Sequence, residues 1–193
     1  MADNLVTASE TSKGFGYWST VEWLADNSRA AVLGANVVLV PNEGFRDYTE
    51  PIFPVGTAEL FQYLKGNLPS TTPVEIAVDD AADFRELAVH ADIFTVATIL
   101  LKEVTAPVLV PLLVNFLRKR FGSRFPDAQV RASLIVDQCE GDRHKSVQIS
   151  YDGPAPTFEA TVKEALSRLP APSISVGSPL PYSPDSTAPN KEK

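Results

Sequence analysis

Residues 37–40 (VVLV) form an unbroken apolar run stopped by Pro41, the pattern of a strand covered on both faces. Residues 74–78 alternate instead, with Val74, Ile76 and Val78 on one side and Glu75 and Ala77 on the other. Between them, Leu60, Phe61 and Leu64 recur at helical spacing over residues 58–65. Thr57 stands where a cap is needed, Glu59 falls in the first turn, and Gly66-Asn67 closes the segment. Strand, helix, strand at this spacing predicts a right-handed parallel crossover. Residues 129–137 and 146–152 alternate as two more strands. Glu140-Gly141-Asp142 lies between them as a turn signal, so an antiparallel hairpin is expected. Phe158, Val162, Ala165, Leu166 and Leu169 mark a last amphipathic helix over residues 157–169, ended by Pro170.

The longest apolar run, residues 93–117, has Lys102-Glu103 near its centre. A membrane span would bury both charges, each at about 2.5–3.5 kcal/mol, against roughly 0.3–0.6 kcal/mol returned per large apolar residue. Neighbours on a helix do not face each other, so the two cannot neutralise one another. Core helices are therefore expected, and membrane association through 93–117 is the disfavoured alternative. Pro107 splits the run into a helix over residues 92–105 and a second one entered near Pro107 or Pro111. Arg118, Lys119 and Arg120 complement the negative end of that second helix, and Gly122 follows as a cap. Before the run, Asp79-Asp80 cap an expected helix over 81–90, with Phe84, Leu87 and Ala88 inward.

These elements predict an α/β fold: a β-α-β unit, a central apolar helical insertion, then β-β-α around one mixed sheet. Residues 1–13 are polar and expected to be loose, and residues 17–25 (YWSTVEWLA) read as a short amphipathic helix. The expected organisation is an N-terminal arm over 1–35, an α/β domain over 36–169 and a disordered proline-rich tail over 170–193.

The chain has 193 residues, enough to bury a core, and a net charge of -7, which argues against general nucleic-acid binding. Its charge is segregated. Glu75, Asp79, Asp80, Asp83, Glu86 and Asp92 form an acidic block, and Arg118, Lys119, Arg120, Arg124 and Arg131 a basic one. The basic block is the candidate protein-partner surface; solvation and helix-end complementation are its plainer explanation. The single cysteine, Cys139, excludes an internal disulfide and a cysteine-rich zinc site. No basic-then-apolar leader precedes residue 13, so a cytoplasmic location is expected.

No phosphate-binding loop, dinucleotide fingerprint or Gly-x-Ser-x-Gly elbow occurs. His90 with Asp79, Asp80 and Asp92 has no spacing that demands a metal, so no catalytic set, metal or cofactor is expected. The candidate ligand site is the loop over residues 42–56, which leaves the carboxyl end of a strand. Glu43, Arg46, Asp47 and Tyr48 lie in it, next to the anion-favouring helix start at Thr57. Its plainer role is to cover the core with Phe45, Ile52 and Phe53.

The segments VVLVPNEGFRDYTEPIFPVGTAELFQYL, VEIAVDDAADFRELAVHADIF and VQISYDGPAPTFEATV, with the helix ending in FLRKR, resemble a family of uncharacterised bacterial proteins. Their β-α-β, apolar helix, β-β-α order is similar to the effector-associated constant-component domains of bacterial conflict systems. That resemblance implies a non-catalytic adaptor of a multi-protein, defence-type system and transfers no site residues. An enzyme or small-ligand sensor using the 42–56 loop is the alternative reading.

Overall fold

The computed structural model describes residues 5–43, 51–79, 84–88, 93–140 and 143–169. In chain order, β1 (Val6–Thr11) leads into α1 (Phe15–Trp18), α2 (Asp26–Gly34), β2 (Val37–Val40), β3 (Ile52–Pro54), α3 (Thr57–Asn67) and β4 (Val74–Ile76). There follow β5 (Arg85–Leu87), β6 (Phe94–Thr95), β7 (Thr98–Lys102), α4 (Ala106–Phe121), β8 (Gln129–Glu140), β9 (Arg143–Pro154) and α5 (Phe158–Ser167). The fold is α/β around a mixed sheet of order β1-β9-β8-β7-β2-β4, with β6 also pairing β8. Strands β3 and β5 form a separate two-stranded parallel ribbon.

The expected β-α-β unit is present: β2 and β4 are adjacent and parallel, with Val37 opposite Val74 and Leu39 opposite Ile76. They share the sheet with the antiparallel hairpin β8-β9, in which Leu134 faces Ile149 and Ala132 faces Tyr151. All four residues of β2 are 0% exposed, because the sheet is covered on both faces there. Val37 and Leu39 enter the larger core, beneath Leu60 and Leu64 of α3, Leu109 and Leu113 of α4, and Phe158 of α5. Val38 and Val40 enter a smaller core, closed by Phe15, Trp18, Leu24 and Val32. That second face is covered only in part. Over β8 and β9 it carries Ser133, Gln148, Ser150 and the Arg131–Asp152 ion pair, as antiparallel sheet facing water allows.

Helix α4 begins and ends as the sequence predicts. Pro107 sits in its first turn, where the missing N–H costs nothing, and Arg118, Lys119 and Arg120 occupy its last. Pro111 lies inside the helix; burial of Leu109, Val110, Leu113, Val114, Phe116 and Leu117 offsets the lost backbone bond. Among the described residues, no helix is long and apolar enough to cross a membrane.

The first half of the central run departs from expectation. Residues 92–105 were expected to be helical, but 94–95 and 98–102 are β6 and β7. A short apolar run that is buried on all sides carries no period to separate strand from helix. Here β-branched Thr95, Val96, Thr98 and Ile99 favour extended backbone, and β7 gains partners on both edges, β2 and β8. Ile99 and Leu101 face the larger core and Leu100 the smaller one. Lys102 closes the strand with its ammonium 5.5 Å from the centroid of Phe15.

Three smaller expectations are corrected. Within the expected helix over 81–90, Arg85–Leu87 is a strand paired to β3; residues 80–83 and 89–92 lie outside the described residues. Residues 6–11, read as loose, are β1, an antiparallel edge strand along β9. Their polarity suits an edge facing solvent, where the core supplies no apolar signal. In place of a helix over 17–25 there is the four-residue α1, a turn, and then α2. The tail 170–193 lies outside the described residues.

Candidate functional site

The basic end of α4 borders a cleft of about 960 Å³. Its floor is Arg120, which ion-pairs with Glu59 of α3 and lays its guanidinium 4.6 Å from the ring centroid of Phe94. Phe94 in turn meets Phe121 edge-on, with centroids 5.6 Å apart. Gly56 sits against the same guanidinium at φ 94°. The positive φ is what favours glycine here; a Cβ would fall 3.2 Å from Arg120 Cζ and push the guanidinium by a few tenths of an ångström. Lys119 and Arg124 line the cleft and, among the described residues, have no ion-pair partner. Among the described residues, Asp127 and the Arg120-paired Glu59 are the acidic side chains lining it, and Thr95 contributes a buried hydroxyl without a hydrogen bond. Arg118, predicted with this group, instead lies over Phe125, 5.5 Å from the ring centroid.

The expected anion site at Thr57 is occupied by the chain itself. Glu86 of β5 accepts hydrogen bonds from the backbone N–H groups of Gly56 (3.2 Å) and Ala58 (2.7 Å), satisfying the first amides of α3. Gly56, not Thr57, precedes the helix; Thr57 is 2% exposed and donates its hydroxyl to Pro54 O at 2.6 Å. Thr57 therefore holds the β3–α3 corner together. Of the other predicted ligand residues, Arg46, Asp47 and Tyr48 lie outside the described residues.

Glu43 lies elsewhere, in a pocket of about 340 Å³ at the carboxyl end of β2. Tyr17 donates its hydroxyl to one carboxylate oxygen, and the Lys13 ammonium donates to the other. Trp18 donates its indole N–H to Lys13 O at 3.1 Å, tying this group to α1. By accepting the hydroxyl's hydrogen bond, Glu43 pushes the Tyr17 pKa from its ordinary 10.0 up to about 12, with burial and the carboxylate charge adding to the effect. The folded chain thus holds a proton that the unfolded chain releases between pH 10 and about 12. Stability is whole below that window and falls as pH rises through it. The buried Tyr151 hydroxyl, also raised, acts in the same direction. Tyr17→Phe is expected to flatten the fall in thermal midpoint across the window; equal slopes in both proteins would rule out the Glu43 bond.

A third cavity, of about 470 Å³, lies by Phe15 and Lys102. Ser146 donates to Asp137 there at 2.8 Å, a neutral-to-charged bond that settles both side chains on the sheet. Among the described residues, no three His, Cys, Asp or Glu side chains gather as a metal site.

No family model matches the chain, and neither do any curated protein or solved structure.

Sequence reasoning singled out Lys119, Arg120 and Arg124, which the fold brings to one cleft, but it missed Phe94 and Glu59 as their partners. It also missed Lys13, Tyr17 and Gln148 around Glu43. The one signal available was the Tyr17-Trp18 pair next to Lys13, aromatic residues in an otherwise polar stretch.

Proposed function

We propose that the protein is a non-catalytic adaptor that docks an acidic protein segment in the cleft at the basic end of α4. The observation that carries this reading is the pair Lys119 and Arg124, free of ion-pair partners among the described residues, on a chain of net charge -7. Cations gathered against the sign of the whole molecule steer an acidic partner, and the Phe94–Phe121 corner offers an aromatic anchor beside them. Arg120 is spent on Glu59 and Phe94, so it shapes the cleft while Lys119 and Arg124 supply the charge. The wider setting, a cytoplasmic accessory role in a bacterial multi-protein defence system, follows the resemblance in element order.

The test is fluorescence anisotropy with a labelled peptide of alternating Glu and Asp around a central Phe, at low salt. Lys119→Glu with Arg124→Glu is expected to weaken binding at least about tenfold, equivalent to roughly 1.4 kcal/mol. The thermal midpoint should fall by no more than a few degrees, since both side chains are exposed and the cost is the reversed charge of Lys119 in the last turn of α4. Undiminished binding by the double variant would sink the proposal. Single-stranded DNA of equal charge binding as tightly as the peptide would also sink it, and would move the reading to polyanions.

A further inference from the structure

On the other face of the sheet, we infer that the pocket beside Glu43 is a binding site for a neutral, polyhydroxylated molecule of monosaccharide size. It stands apart from the cleft, being walled by Trp18 and Ile135 of the smaller core, whereas Phe94 and Phe121 border the larger one. Three side chains with a free polar group line it: Gln148 of β9, Thr98 of β7, and Asn42 just after β2. Gln148 of β9 spends its amide N–H groups on Ser133 (2.9 Å) and Ser150 (3.3 Å), which leaves its carbonyl as the free end. The Asn42 side-chain amide and the Thr98 hydroxyl have no hydrogen bond among the described residues. Backbone register places them together: Thr98 pairs with Val40, two residues before Asn42, and Gln148 pairs with Ile135.

Charge decides against an ion. Among the described residues, the charged side chains lining the pocket are Lys13 and Glu43, and these are paired with each other, so neither sign of ligand gains from them. Glu43 has one donor on each oxygen, from Lys13 and Tyr17, and a carboxylate offers about four acceptor sites. It can therefore accept ligand hydroxyls while held rigid. Thr98 and Asn42 can donate, the Gln148 carbonyl and Glu43 can accept, and the apolar members of the lining are Pro41, Ile135 and Trp18, almost wholly buried at its base. Alternating donor and acceptor hydroxyls on a ring with an apolar face meet all of these at once. The volume, about 340 Å³, sits at the small end of the range for ligand pockets, roughly 300–1,000 Å³.

Isothermal titration of the full chain with glucose, galactose, mannose, ribose and myo-inositol tests this, with gluconate and glucosamine as charged counterparts. At least one neutral ligand is expected to bind with Kd near or below about 1 mM, an affinity of roughly 4 kcal/mol. Its gluconate or glucosamine counterpart should bind more weakly. Gln148→Ala, with a midpoint lowered by no more than a few degrees for its two lost hydrogen bonds, and Thr98→Val should each weaken binding at least about fivefold. Failure of every neutral ligand to saturate below about 10 mM overturns the site, as does tighter binding of a charged counterpart. Binding that survives both substitutions places the ligand elsewhere and overturns it as well.

Discussion

Leu113→Asp is expected to leave the protein unfolded at 25 °C, with its cooperative thermal transition lost. Leu113 is 2% exposed, on the face of α4 turned to the sheet, within a core of Leu, Val, Ile, Ala and aromatic side chains. Truncating a leucine in such a place costs about 2–5 kcal/mol by lost burial and cavity. Placing a carboxylate there adds several kcal/mol more, whether it stays charged or is forced to take a proton. The sum matches the whole stability of an ordinary domain, about 5–15 kcal/mol. Leu113→Met is the control: similar volume and no charge should cost less than about 1.5 kcal/mol and keep the transition. A Leu113→Asp protein that still unfolds cooperatively within a few degrees of wild type would remove α4 from the core.

The same helix shows what the sequence could and could not carry. From Ala106 onward, apolar spacing, an early proline and three terminal cations agree on a helix, and α4 is where they place it. Ten residues earlier the run is as apolar but has no polar face, so its period was hidden, and strand pairing by β2 and β8 decided the outcome. The β-α-β unit and the hairpin were legible because each alternates or breaks at a turn residue. Strand β1 was not, since an exposed edge strand has no buried side to pattern it; its register comes from β9.

The candidate sites follow the same division. Lys119, Arg120 and Arg124 were visible because they are adjacent in sequence and gather at one helix end. Glu86 capping α3, Glu59 under Arg120, and Lys13 and Tyr17 on Glu43 are partnerships between residues about thirty or more apart. No local pattern encodes them. Charge blocks in the sequence were thus a guide to composition, whereas the fold decided which charges were spent internally: Glu86 and Arg120 are engaged, while Lys119 and Arg124 face the cleft.

Trp18→Ala tests whether the N-terminal elements belong to the folding unit of the sheet. Trp18 is 2% exposed and is among the largest fully buried side chains of the chain, roofing Val38, Val40, Leu100 and Ile135. Its loss should cost about 3–5 kcal/mol and also leave Lys13 O without its indole donor. For a domain of this size that lowers the thermal midpoint by roughly 6–20 °C. The remaining tryptophan, Trp23, is only partly buried, so native emission should shift to the red. Two outcomes separate the alternatives. A fall in the single cooperative transition means α1 and α2 fold with the sheet, as expected from β2 being fully covered on that side. A red shift with an unmoved midpoint would mean that α1 and α2 detach locally while the larger core holds. The smaller core would then contribute little to global stability, and Val38, Val40 and Leu100 would tolerate polar replacement.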